Sequence, residues 1–286
     1  MTLEAGPLDA DRVDADRVDA DWAAWPVQHV DGICYLSRGQ GVPVVFLHGV
    51  GGAARQFRAQ LRHVGRQRRA IAWDMPGSGG STPLPRVTMD TLAAALGGFI
   101  AALGLDRPVL VGHSIGGMIV QRLLAEAPHA ARAVVLAQTS AAFGGRDPAW
   151  AEQFIRDRLG PLDKGHRLED MAPAMVAGLV GDEPDPDGIA LAQDCIARAP
   201  TPAYQSTVRA MLGFDLRDAL PRIAVPTLVL SGTKDPNAPA AAMERMAARI
   251  PGARYVALEG VGHLAHLEQP ARFNVVLDAF LQEVAP

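Results

Sequence analysis

The sequence predicts an α/β protein: a doubly wound, mostly parallel sheet with an inserted α-helical cap. Three observations predict it. Short apolar runs without polar alternation recur along the chain, as strands covered on both faces require. Longer segments with apolar residues at helical spacing separate those runs. The strand–helix rhythm stops near Ser140 and resumes near Asp218, so the stretch between reads as an insert rather than as part of the sheet.

The elements follow in order. Residues 1–24 are acidic, and 9–21 repeat a five-residue Asp- and Ala-rich unit. Such a segment cannot bury enough apolar area to offset its ordering entropy, so a flexible solvated tail is expected. The core is predicted over 25–140 and 218–286. Strands over 27–30 and 34–37 flank Asp31-Gly32, a dipeptide suited to a two-residue hairpin turn. Buried strands are predicted at 42–47, 70–73, 108–111, 133–137, 226–230 and 255–258. Helices are predicted at 53–64, 89–103, 115–127, 240–250 and 271–284. The cap is predicted over 141–217, after the sixth strand.

Composition narrows the function classes. The 286 residues are 49% hydrophobic and 20% charged, with a net charge of −4. No basic surface is available for nucleic acid. No apolar run reaches the roughly 18 residues a bilayer span needs, so no membrane partner is expected. Cys34 and Cys195 lie far apart and match no zinc spacing. Reduced thiols in a cytoplasmic protein are expected, with no metal and no organic cofactor.

The chemistry is carried by Gly112-His113-Ser114-Ile115-Gly116-Gly117. It follows a predicted strand and opens a predicted helix, the setting in which Gly-x-Ser-x-Gly forms a nucleophile elbow. A serine at its free pKa needs a base. His263, in the glycine-rich loop after the last strand, stands at the carboxyl edge of the sheet, where ligands bind in such folds. His266 is the alternative base. Asp235, just past the strand at 226–230, is the expected orienter of the imidazole; the sixth strand ends Gln138-Thr139-Ser140, without an acid. Two backbone N–H groups are expected to receive the oxyanion, those of Ile115 and of Val50 in His48-Gly49-Val50-Gly51-Gly52. His48 is expected to hold that loop by hydrogen bonding, and the turn 74–81 to support it. Trp150, Phe154, Met175 and Met211 are candidate pocket residues, with Met171 and Leu179 beside them. Arg146, Arg156, Arg158 and Arg167 single out no anion-binding residue.

With His48-Gly49, Asp74-x-Pro-Gly-x-Gly-x-Ser81, Gly112-x-Ser114-x-Gly116, and Asp235 with His263 in this order, the chain from about Val27 onward resembles the α/β-hydrolase superfamily. Gly116-Gly117-Met118-Ile119, 135–140, Asp215-Leu216-Arg217 and 263–270 are similar to the 3-oxoadipate enol-lactonase branch. The resemblance implies a serine hydrolase acting on a small-molecule ester or lactone. Dehalogenases and epoxide hydrolases of the superfamily carry aspartate where Ser114 stands. Ring-cleavage carbon–carbon hydrolases carry tryptophan where Leu264 stands. A carbon–carbon hydrolase or amidase with the same triad, or a small-molecule receptor on the same fold, are the alternatives.

Overall fold

The computed structural model describes residues 25–145 and 148–285; the acidic N-terminal segment and Arg146 lie outside them. Eight strands form one sheet in the order β1-β2-β4-β3-β5-β6-β7-β8. They are β1 (Gln28–Val30), β2 (Ile33–Arg38), β3 (Pro43–Leu47), β4 (Arg69–Trp73), β5 (Val109–His113), β6 (Ala133–Ala137), β7 (Thr227–Gly232) and β8 (Arg254–Leu258). β1 and β2 pair antiparallel, β2 pairs antiparallel with β4, and every other pairing is parallel. Asp31 and Gly32 both take positive φ, 46° and 78°, as a hairpin turn with the twist of its strands demands.

The unbroken apolar runs have a simple cause. Alternate residues of a strand point to opposite faces, and here both faces are covered. Val45, Leu47, Leu110, Val134, Leu136 and Val229 pack under α2 (Met89–Ala102), α3 (Ile115–Glu126) and α8 (Ala240–Ala247). Val44, Phe46, Val109, Val111, Val135 and Leu230 pack under α1 (Arg58–Val64) and α9 (Pro270–Val284). The predicted helix at 53–64 is divided: Ala54–Phe57 is a 3-10 turn before α1 begins.

Among the described residues, four α-helices lie between β6 and β7: α4 (Pro148–Asp163), α5 (Leu168–Ala177), α6 (Pro186–Ala197) and α7 (Thr201–Ala210). They share a core of their own, including Leu159, Val176, Leu191 and Tyr204. The two chains leading into and out of this insert pair at its base, where Phe143 N–H donates to Phe214 O at 2.7 Å and Leu216 N–H to Ala141 O at 2.8 Å. No helix among the described residues is long and apolar enough to cross a membrane.

β3 is flanked by β4 on one side and β5 on the other. The chain therefore leaves β3 in one direction and returns across it to β5. In such sheets the loops beyond the strand ends separate at that reversal and open a crevice. Here those loops carry Val50 and Ser114.

Candidate active site

One residue, Ser114, separates β5 from α3. Its backbone lies at φ 54°, ψ −123°, a region that L-residues occupy only when the surroundings impose it. Ser114 N–H donates to Ala137 O at 3.0 Å, and the carbonyl accepts from Thr139 Oγ1 at 2.6 Å. The turn is tight enough that a Cβ on Gly116 would stand 2.3 Å from Leu47 O. Only glycine lets α3 start so close to β3.

Ser114, Asp235 and His263, separated by up to 149 positions, meet at the carboxyl edge. Ser114 Oγ–H donates to His263 Nε2 at 3.1 Å, and His263 Nδ1–H donates to Asp235 Oδ2 at 2.8 Å. Asp235 and His263 are buried. The other Asp235 oxygen accepts from the N–H groups of Asn237 and Ala238, at 2.8 and 2.9 Å. Burial pushes the Asp235 carboxyl upward, but its hydrogen bond and charge interaction with His263, with the two N–H groups, pull it further down. The net shift is below the ordinary carboxylate range, so the site holds a carboxylate beside the imidazole.

His263 is fixed from every side. Its N–H donates to Leu179 O in the insert at 2.7 Å, and its carbonyl accepts from His113 Nε2–H at 2.7 Å. A Cβ on the preceding Gly262 would lie 2.3 Å from Leu179 O, so the loop and the insert touch backbone to backbone. Glu268, 1% exposed, receives three N–H groups: Gly262 at 2.9 Å, Leu264 at 2.8 Å and Gly181 of the insert at 2.7 Å. The amides on both sides of His263 are thus tied to one buried carboxylate, which such bonds make tolerable in an apolar setting. Sequence reasoning missed Glu268 and His113. An acid standing inside the apolar run Leu264-Ala265-His266-Leu267 was the available signal for the first, since a buried acid needs dedicated donors.

The loop after β3 is held as expected. His48, fully buried, donates from Nδ1 to Gly49 O at 2.8 Å and accepts at Nε2 from Met75 N–H at 2.9 Å. Asp74 accepts from Ala54 N–H at 2.7 Å. The 74–81 turn therefore braces the loop at both ends. Among the described residues, neither Val50 N–H nor Ile115 N–H is spent in a backbone hydrogen bond.

A cavity of about 120 Å³ opens over Ser114. Gly49, Val50, Gln138, Thr139, Ser140 and Asn237 line it beside the triad, and Phe143, Phe154, Val208, Met211 and Leu179 line the insert's side. Of the expected pocket residues, Phe154, Leu179 and Met211 reach it. Trp150 does not: it stacks on Phe154 with centroids 5.3 Å apart and remains 44% exposed. Met175 does not either, because its face of α5 packs into the insert's own core. Met171 packs there as well. His266 is no alternative base: it is 1% exposed, stacked on Phe57 at 4.7 Å, and lies outside the cavity lining.

Three imidazoles beneath the site are held neutral, chiefly by burial. His48 is lowered, His113 is lowered to about 3, and His266 lies well below its ordinary value. An unfolded histidine titrates near 6.5. Between the folded and unfolded values the unfolded chain binds more protons, so stability is complete above about pH 6.5 and drains away as the pH falls toward 3. The slope reaches about 1.4 kcal/mol per pH unit for each imidazole. The urea midpoint is expected to fall clearly between pH 7 and pH 5; equal midpoints would contradict this.

A doubly wound sheet with a strained serine turn at its reversal point and these loops around it defines an α/β hydrolase. The chain belongs to the α/β hydrolase family, whose model matches residues 44–276. The polyketide synthase ThaQ of Burkholderia thailandensis is 32% identical across 87% of this chain, which spans only 12% of ThaQ's length. The 3-oxoadipate enol-lactonase 2 of Acinetobacter baylyi is 25% identical, covering 84% of this chain and 88% of that protein. A thermophilic esterase from Thermogutta terrifontis superposes with a TM-score of 0.81 at 27% identity, covering 92% of this chain and 98% of the esterase. The resemblance to the enol-lactonase branch read from the motifs is borne out.

Proposed function

We propose that the protein is a serine hydrolase that cleaves a carboxylic ester or lactone through an acyl-enzyme. The observation that carries this is the continuous chain from Ser114 Oγ to His263 Nε2, 3.1 Å, and from His263 Nδ1 to Asp235, 2.8 Å. His263 takes the Ser114 proton as Oγ bonds to the carbonyl carbon. The oxygen that becomes negative is received by the free N–H groups of Val50 and Ile115, an arrangement in which each donor contributes on the order of 3 kcal/mol. Collapse of the intermediate breaks the bond to the alcohol oxygen, which leaves with the proton from His263. Water then repeats the sequence and releases the acid, restoring Ser114. Asp235 keeps the proton on Nδ1, so that Nε2 faces the serine unprotonated, and stabilises the imidazolium. The insert closes the cavity and selects the substrate.

The esterase and enol-lactonase among similar proteins support an ester or lactone, and the pyrrolizixenacetamide deacetylase of Xenorhabdus hominickii, 28% identical, makes an amide the class to test against it. A panel of p-nitrophenyl esters, lactones, anilides and β-diketones, with acid release followed by pH change, tests this. Turnover of esters or lactones above the other classes is the expected result. Anilide or diketone cleavage without ester cleavage would overturn it, and slow single turnover of every class would point to a receptor.

A further inference from the structure

The imidazole of His263 is mounted partly on the insert. Between α5 and α6, residues 178–185 run along the loop that carries His263. Leu179 O accepts the His263 N–H at 2.7 Å, Asp182 N–H donates to Gly260 O at 2.7 Å, and Asp185 N–H donates to Glu268 O at 2.9 Å. Gln269 Nε2–H donates to Glu183 O at 2.8 Å. The two backbones touch: a Cβ on Gly181 would stand 2.1 Å from Gly260 O. Glu183 takes φ 49°, a conformation that an L-residue keeps where its surroundings impose it.

Glu268 stands at the centre of this seam, and one of its oxygens serves both sides. Oε2 accepts Gly262 N–H from the loop at 2.9 Å and Gly181 N–H from the insert at 2.7 Å, while Oε1 accepts Leu264 N–H at 2.8 Å. Gly262 and Leu264 are the residues on either side of His263, so the carboxylate that orders the backbone around the imidazole also holds the insert. Withdrawing the Gly181 donor leaves a buried carboxylate short of one hydrogen bond, which is unfavourable. The group then shifts, and the two amides beside His263 shift with it. Catalytic geometry tolerates little of this, since a misplacement of about 1 Å costs about a hundredfold in rate. Glu268 and Gly181 lie outside the cavity lining, whereas Leu179, whose carbonyl holds His263, is part of it. The wall that meets a ligand and the mounting of His263 are therefore one segment.

We propose that Glu268 is a positioning residue through which the seating of the insert sets the alignment of His263. The imidazole lines up with Ser114 and Asp235 while residues 178–185 rest on its loop, and loses that alignment when they do not. The kinetic consequence rests on the acyl-transfer reading above; the structural one does not.

Two variants test it. Glu268→Gln keeps shape but sets an NH₂ against a backbone N–H, donor against donor. Gly181→Ala wedges the insert off the loop and leaves every side chain of the loop in place. Both are expected to lower kcat for p-nitrophenyl butyrate by about ten- to hundredfold, with KM nearly unchanged in Glu268→Gln. Alignment is also read without turnover, from the far-downfield proton resonance of His263 Nδ1–H bonded to Asp235, which both variants are expected to shift or broaden. A native resonance and native kcat in either folded variant overturns the proposal. So does a rise in KM alone in Gly181→Ala, which would mean that the insert only shapes the pocket. Should neither variant fold, hydrogen exchange on the native protein decides: the Gly181 amide is expected to exchange as slowly as those of Gly262 and Leu264, and fast exchange at Gly181 alone overturns the proposal. Loss of the resonance in both variants of a protein that turns over no ester would sink the hydrolase reading and support this one.

Discussion

Ser114→Ala is expected to remove ester turnover, by about 10⁶-fold in kcat if it behaves as nucleophile replacements in other serine hydrolases do, while leaving the fold intact. The two halves of that expectation have separate causes. The hydroxyl makes one side-chain contact, the 3.1 Å bond to His263 Nε2, so its loss removes the attacking atom and little else. The backbone at φ 54° carries the same Cβ in either residue, so the strain of the turn is unchanged. Thermal unfolding and p-nitrophenyl acetate hydrolysis check both halves on one sample. Retained turnover with an unchanged melting point would remove Ser114 from the mechanism.

Asp235→Asn is expected to lower kcat by about 10⁴, and the geometry states why. One Asp235 oxygen already accepts from Asn237 and Ala238 N–H. An asparagine must give its carbonyl oxygen to those two donors. Its amide NH₂ then faces His263 Nδ1, which must become the acceptor. The ring proton moves to Nε2, and the atom facing Ser114 can no longer take a proton. The substitution keeps shape and burial, so the measured loss reports the tautomer rather than packing. A fall of less than tenfold in kcat would mean that Asp235 does not govern His263.

Much of the fold was legible because burial on both faces leaves an unmistakable pattern. β6 has the predicted bounds, and the other predicted strands differ only at their ends. Those differences have local causes: β5 begins at Val109 because Pro108 has no N–H to give, and it runs on through Gly112 and His113 because the elbow turns only at Ser114. The triad candidates were legible because each sits one loop beyond a strand end, a position the sequence marks with glycine. The pocket wall was not. Trp150, Phe154 and Arg158 share a helix face, but which face meets the cavity depends on how α4 rests on the sheet, a tertiary matter. Met175 was misplaced for that reason: its helix turns toward Leu168, Val176 and Leu191 rather than toward Ser114. Glu268 escaped because its worth lies in three backbone amides, two of them in its own loop and one in the insert, and backbone donors leave no mark in side-chain patterning.

Covalent labelling tests the central claim most directly. The protein is treated with a limiting amount of diethyl p-nitrophenyl phosphate, p-nitrophenol release is counted, and the modified peptide is located by mass spectrometry. One equivalent of p-nitrophenol, loss of esterase activity in proportion, and a diethylphosphoryl group on Ser114 are the predicted results. Full activity after treatment, or loss of activity with the label on any other residue, would contradict the account.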